Sequence, residues 1–484
     1  MNHRAIISTL GYIVFSIGIM MFFPLLVDIY YKEAIFEFLY PIAISIIIGS
    51  ILILCFRTKK DERSIFEREA FLIVALGWLL AAIFGSLPYL FSSLPPIDSF
   101  FESMSGFTTT GSTILVDIEA YSRGLLFWRS MTQWLGGMGI IVLFLAVLPT
   151  ISDRGSRLFK AETSFLTAER IRPKIRDTMR IFCLIYLLFS VIEVILLLLC
   201  RVPLYEAICT AFSTLSTGGF HPRADSIAYY QSPIVEFIVI IFMLIGSINF
   251  SLHFMALKGK IKNVLRNEEL RFYLIILLVS IGIVTIDLAL RIHGNFLISF
   301  RYAVFQVVST ITSTGFATID FSSSTFWTPS SALILFILMF LGGCRGSTSG
   351  GIKEARIHVV IKCIRREFRR LLHPEAVMPI KYNGKIVSED ALHSIFAFVL
   401  LYFTVFAVAG SVLIFMGYDP ITSLSSVATA MENFGPGLAL VGPFNNYAFF
   451  NPFAKILLTF CMWVGRLEIF TVLIIFLPEF WRRY

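Results

Sequence analysis

Long apolar runs alternate with short polar punctuation along the chain. Runs of about 20 apolar residues are long enough to cross the hydrocarbon core as helices. Two open the sequence, at about residues 5–27 and 34–56. The first follows Arg4 and resembles a secretory leader, but it is long, ends near Pro24 and Asp28, and lacks a small-residue cleavage site; it is expected to be a retained helix. A pattern then sets in that recurs. A spanning run is followed by a short, half-apolar segment, a polar run around a glycine, and a second spanning run.

The first such unit has apolar runs at 70–91 and 125–148, with the short segment at 96–107. The second has 181–200, 203–215 and 234–257. The third has 272–290, 300–311 and a run starting near Pro329; the fourth has 395–416, 420–431 and 453–477. The polar runs are Thr108-Thr109-Thr110-Gly111-Ser112, Ser216-Thr217-Gly218-Gly219, Ser313-Thr314-Gly315-Phe316 and Asn433-Phe434-Gly435-Pro436. The second spanning run of each unit carries a further glycine: Gly136, Gly246, Gly342 and Gly465 stand 25 to 30 positions after the central glycine, taken as Gly111, Gly218, Gly315 and Gly435. A register held four times marks one structural unit used repeatedly.

These patterns predict an all-α polytopic membrane protein. Residues 1–66 form two additional N-terminal helices. Residues 67–177 are the first unit with a basic loop, and 178–268 the second. Residues 269–387 are the third, with a broken second helix and a basic loop, and 388–484 the fourth.

Composition agrees. Hydrophobic residues make up 57% of the 484 and charged ones only 15%, against about a quarter charged in soluble proteins. The net charge of +8, from 40 basic and 32 acidic residues, is no nucleic-acid signature, because the basic residues sit between apolar runs. They cluster at Arg57–Arg68, Arg154–Arg176, Lys258–Arg266, Lys353–Arg370 and Arg482-Arg483. By the positive-inside rule these gaps are cytoplasmic. Ten spans then place both termini inside and the short segments on the outer side. The seven scattered cysteines suggest neither a disulfide framework nor a zinc site, and the histidines make no metal-binding spacing.

Non-helical backbone at membrane depth is tolerated only where protein buries it or water lines it. Four such stretches can converge on one axis as half-spanning helices whose negative C-terminal ends point at the centre. The glycine runs can then aim carbonyl oxygens inward, as potassium filters do. An isolated Ser/Thr-Gly run is most often an ordinary turn; four at one place in four repeats point to a pore. The candidate ion-binding residues are Thr109, Thr110 and Gly111; Ser216, Thr217 and Gly218; Ser313, Thr314 and Gly315; and Asn433, Phe434 and Gly435. Potassium would sit there as cargo, and no bound cofactor is expected.

Two further features stand out. Residues 342–351, Gly342-Gly343-Cys344-Arg345-Gly346-Ser347-Thr348-Ser349-Gly350-Gly351, hold five glycines in ten positions and break the third unit's second helix. They read as a gating loop, with a flexible kink as the plainer alternative. Arg466 fills the register of Gly137, Ser247 and Gly343. A pore-facing role is favoured over an ion pair with Glu468, since residues two apart on a helix do not face each other. Glu102, Glu206 and Glu432 flank three of the polar runs, where carboxylates either concentrate cations or pair.

The chain resembles the membrane subunit of the Trk/Ktr-type potassium uptake systems, in the TrkH-like branch. The likeness covers nearly the whole sequence, the two N-terminal helices included. It is carried by the four glycine runs, by residues 342–351 and by Arg466. It implies four M1–pore helix–M2 units in pseudo-fourfold symmetry, a homodimer, and a TrkA-like cytosolic, nucleotide-binding regulatory subunit as partner. It also implies potassium uptake across the plasma membrane, in a bacterium the inner membrane, with rubidium accepted and sodium passed poorly. Arg345 departs from the small residue of the family pattern. The alternative is a proton- or sodium-coupled symporter, for which intramembrane acids such as Glu193 and Asp287 are few and the repeats run parallel rather than inverted. No constellation of residues suggests an enzyme.

Overall fold

A computed structural model describes residues 1–57, 67–139 and 175–482. The expected basic positions Lys59, Lys60, Arg63, Arg154, Arg157, Lys160, Arg170, Arg172 and Lys174 lie outside the described residues, as does the end of the run predicted over 125–148.

The N-terminal pair is α1 (His3–Met20), continued by α2 (Phe22–Tyr31), and α3 (Phe36–Cys55). The first unit is α4 (Glu67–Gly85) with its extension α5 (Leu87–Phe91), the short helix α6 (Pro96–Phe107), and α7 (Arg123–Gly137). The second is α8 (Ile175–Leu199), α9 (Leu204–Leu215), α10 (Pro233–Ser247) and α11 (Phe250–Leu257). The third is α12 (Glu268–Leu288), α13 (Phe296–Ile311), α14 (Pro329–Leu338) and α15 (Glu354–Leu372). The fourth is α16 (Glu389–Phe415), α17 (Pro420–Glu432), α18 (Pro452–Arg466) and α19 (Ile469–Leu473). A two-residue β-hairpin, Lys381–Tyr382 against Lys385–Ile386, joins the last two units.

Local chemistry sets these boundaries. Proline opens α6, α10, α14, α17 and α18 at the first helical position, where its missing N–H costs nothing. Ser122, Thr328 and Asn451 accept from backbone amides as N-caps of α7, α14 and α18. The short helices match the segments predicted from sequence, α13 starting four residues early because Asn295 caps it.

Among the described residues, six helices are long and apolar enough to cross a bilayer. Two bent pairs, α10 with α11 at 106° and α18 with residues 469–476 at 116°, are apolar enough to count as one further span each or as re-entrant loops. Sequence had predicted continuous helices over 234–257 and 453–477; both are broken. Asn249 caps α11 after an extended Ile248, and Glu468 adopts φ 61° before α19. Apolar composition alone does not register such breaks.

Apolar packing falls in two large clusters and a small one in which α15, the hairpin and the start of α16 meet. One large cluster joins α1–α3, the first unit and the fourth; the other joins the second and third. Outward residues such as Leu184, Leu188, Val191 and Ile195 stay exposed at helical spacing on α8, as a lipid-facing stripe requires. The N-terminal helices are tied to the rest by charge. Asp28 accepts from the Gly124 amide at 2.7 Å, and Glu33 from the Arg123 amide at 2.5 Å, so two acids face the positive N-terminus of α7.

Candidate functional site

All four short helices end in the same turn. The residue after the last helical turn is left-handed: Thr109 (φ 56°), Thr217 (54°), Ser313 (55°) and Asn433 (58°). The next residue, Thr110, Gly218, Thr314 or Phe434, returns its amide to a carbonyl five positions back at 2.8–3.0 Å. That is the Schellman closure of a helix C-terminus. Two positions beyond the left-handed residue stands a glycine with φ of 85°, 80°, 86° and 99°: Gly111, Gly219, Gly315 and Gly435.

This register corrects one expectation. Gly219, not Gly218, corresponds to Gly111, Gly315 and Gly435. Gly218 takes the preceding place, with Thr110, Thr314 and Phe434. Adjacent glycines left the alignment ambiguous in sequence.

The four loops meet. A Cβ added to Gly111 would stand 2.2 Å from the Gly218 carbonyl oxygen; one on Gly219, 2.1 Å from that of Thr314. One on Gly315 would stand 2.1 Å from the Phe434 oxygen, and one on Gly435, 2.6 Å from that of Thr110. Each glycine thus lies against the carbonyl of the next unit, and the cycle closes after four. All four glycines line one outward cavity together with Ser112, His221 and Tyr447. Thr109, Thr110, Thr217, Ser313, Thr314 and Asn433 are fully buried beside it. Gln133 braces the second loop, donating to the Gly218 carbonyl at 2.6 Å and accepting from the Phe220 amide at 3.0 Å. Sequence reading did not single it out, although the polar stretch Arg129-Ser130 and Thr132-Gln133 within a spanning run was a visible signal.

The second helices approach through their own glycines. A Cβ on Gly136, Gly246 or Gly465 would lie 1.9, 2.8 or 2.2 Å from the carbonyl of Phe107, Leu215 or Met431, one equivalent position in each unit. Gly342 differs, and meets Gly350 of its own loop instead.

From Gly342 to Lys353 the chain is non-helical and largely buried. It lies against the inner ends of three short helices. Thr348 donates through Oγ1 to the Leu215 carbonyl at 3.1 Å or the Gly246 carbonyl at 3.0 Å, and stands 3.3 Å from Thr217 Oγ1. The Gly350 amide donates to Ser313 Oγ at 2.9 Å. A Cβ on Gly350 would stand 1.9 Å from the Glu432 carbonyl oxygen. Within the loop Gly343 N–H donates to Ser349 Oγ, and Ser347 Oγ to the Cys344 carbonyl. Cys344 and Gly346 pair with backbone groups of Ser247 and Phe250, and the Arg345 amide donates to Glu269 at 2.5 Å. Gly351 abuts the buried Glu432 carboxylate. Arg466 completes the layer: its guanidinium donates to the Thr348 carbonyl at 2.5 Å and the Gly136 carbonyl at 2.9 Å. Glu468 is engaged elsewhere, with Arg356 at 2.5 Å.

The flanking carboxylates divide. Glu102 pairs with Arg129, and Glu206 with Arg223, each at 2.7 Å. Glu432 ends α17 and lies on the inner side.

Four short helices converging on a closed ring of glycines and carbonyls, each set between two further helices of its own unit, define a helical membrane protein of the pore-loop architecture. Residues 33–483 match the family model TrkH, described as a cation transport protein, and the chain belongs to that family. It is 38% identical to the Trk system potassium uptake protein TrkH of Salmonella typhimurium and 37% to that of Escherichia coli K12, over the whole of both chains in each case. The crystal structure of the potassium transporter TrkH from Vibrio parahaemolyticus matches with a TM-score of 0.89 and 33% identity, covering 100% of each chain.

Proposed function

We propose that the chain takes up potassium across the plasma membrane, in a bacterium the inner membrane, through the axis of the four-unit ring. The observation carrying this reading is the cyclic contact of Gly111, Gly219, Gly315 and Gly435 with the carbonyls of Gly218, Thr314, Phe434 and Thr110. Backbone oxygens so placed can replace the hydration shell of a monovalent cation, and the short helices add negative ends aimed at the same centre. Potassium and rubidium pass and sodium passes poorly. The loop over 342–351 with Arg466 is the gate, because it occupies the inner side of the ring and its cation stands where like charge raises a barrier.

Both termini face the cytoplasm, by the distribution of Lys and Arg. Family resemblance supports a homodimer and a nucleotide-binding regulatory subunit on the cytoplasmic side. Proton or sodium coupling would draw on an intramembrane acid, and Glu193 is fully buried on α8 with neither carboxylate oxygen hydrogen-bonded. Flux in proteoliposomes tests both readings. Potassium and rubidium uptake exceeding sodium uptake, unchanged by a pH gradient, is the result for a passive pore. Equal passage of the three ions overturns the filter, and flux that follows the gradient establishes coupling.

A further inference from the structure

Behind the first glycine loop lies a buried ion pair that the transport reading leaves without a role. Arg129 Nε on α7 stands 2.7 Å from Glu102 Oε1 on α6, and the two side chains are 2% and 0% exposed. Each partner reaches further. The Arg129 guanidinium donates to Thr113 Oγ1 at 3.1 Å and to the His221 carbonyl at 3.4 Å, and it covers the Phe220 ring at 4.1 Å. Glu102 accepts from Thr113 Oγ1 at 3.0 Å and from the Ile114 amide at 2.9 Å. The pair therefore holds Thr113 and Ile114, just outside Gly111, and Phe220 and His221, just outside Gly219.

Only the first unit is built this way. Seven positions before the left-handed turn residue, where the first unit has Glu102, the others have Thr210, Gln306 and Ser426. Seven before the glycine of the second helix, where the first has Arg129, they have Val239, Leu335 and Leu458. Burying two charges is costly, and well-packed apolar residues usually serve stability as well or better. An apolar pair cannot fix two backbone segments by directional, charge-assisted hydrogen bonds.

We propose that Arg129 and Glu102 are positioning residues for ion selection. They set the distance between the first and second loops, and so the spacing of the Thr110 and Gly218 carbonyls across the adjoining quarter of the ring. The proposal rests on the reading of the glycine loops as a filter. Loss of the link lets that quarter relax inward around a smaller ion, so sodium gains relative to rubidium.

The test is rubidium and sodium uptake by the purified full-length chain in proteoliposomes, with monodispersity in detergent as the measure of folding. Arg129→Lys keeps the charge, but an ammonium cannot span the partners that a guanidinium bridges. Thr113→Val leaves the ion pair in place and removes the hydroxyl part of its link to the first loop, while the Ile114 amide stays bonded to Glu102. Gly111→Ser serves as the control on the filter itself. The rubidium-over-sodium ratio is expected to fall by about tenfold in Arg129→Lys, the scale of one lost charge-assisted hydrogen bond, and by less in Thr113→Val. A merely structural role lowers the yield of folded protein and leaves the ratio alone. If Arg129→Lys does not fold, Thr113→Val decides. Wild-type ratios in the folded variants overturn the proposal. In that event a shifted ratio in Gly111→Ser leaves the filter standing, and an unshifted one removes both.

Discussion

Arg466 on the fourth unit's second helix donates to the carbonyl of Thr348, a residue of the third unit's loop, at 2.5 Å. The same guanidinium reaches Gly136 of the first unit, and Thr348 itself bonds to the second. One side chain thus closes a layer drawn from all four units. Hydrogen bonds from a charged donor are worth about 1.5–3 kcal/mol each where nothing replaces them. Arg466→Ala removes both and the local positive charge. Basal potassium flux without the regulatory subunit should rise by about tenfold or more, since 1.4 kcal/mol shifts an open–closed ratio tenfold. The potassium-over-sodium ratio should hold, because the glycine ring is untouched. Wild-type flux in this variant would make Arg466 a packing charge.

The ring register predicts unequal effects at neighbouring glycines. At Gly219 a methyl group would press on the Thr314 carbonyl with φ at 80°, and backbone cannot yield cheaply. At Gly218 it would press on the Gln133 side chain, which can move. Gly219→Ala should therefore degrade the rubidium-over-sodium ratio as Gly111→Ser does, while Gly218→Ala should cost less selectivity. Competition uptake with both ions present measures this. The reverse order would return Gly218 to the central position that the sequence suggested.

Three of the short helices were legible from end to end because proline stands at their start and a polar glycine run ends them; the third unit's was legible at its glycine run, while its start at Asn295 went unread. Within the run over Gly218 and Gly219, backbone dihedrals decide the register, and composition carries no trace of them. The bends at Ile248 and Leu467 were hidden for another reason: the apolar runs on either side of each read as one span, and the polar residues at the breaks, Asn249 and Glu468, were too few to divide it. The partnership of Glu102 with Arg129 joins residues 27 apart in the chain. The glutamate was visible as a candidate for pairing, and the choice of partner needed the fold.

The basic run of α15 divides once its contacts are known. Lys362 pairs with Glu268 at 2.5 Å, and Arg366 with Glu389 at 2.6 Å. Arg365, Arg369 and Arg370 are exposed on α15. The exposed three are the better candidates to meet an acidic or nucleotide-binding partner. Replacing them together by glutamine should reduce recovery of the regulatory subunit in pull-downs from membranes, and most strongly at low salt, where exposed charges act furthest. Lys362→Gln should leave recovery largely intact. Undiminished recovery with the triple variant would assign these arginines to anionic lipid instead.

The tightest contact of the inner loop offers a steric test of the gate. Gly350 lies where an added methyl would stand 1.9 Å from the carbonyl oxygen of Glu432, the last residue of α17. Its amide donates to Ser313 Oγ at 2.9 Å on the opposite side. Alanine here cannot be seated without moving backbone on one side or breaking the hydrogen bond on the other. The α17 end is held by its own helix, so the loop must give way. Displacing it should unblock the inner face of the ring and raise potassium flux without the partner, with little change in the potassium-over-sodium ratio. Ser313→Ala separates the two contributions, removing the hydrogen bond with no added bulk, and should raise flux less. Gly282→Ala is the matched control: it lies within α12 with nothing inside 4 Å of the new methyl group. It should add about 1 kcal/mol of helix stability at most and leave flux alone. Wild-type flux in Gly350→Ala, in protein that remains monodisperse, would show that residues 342–351 pack beneath the ring without closing it.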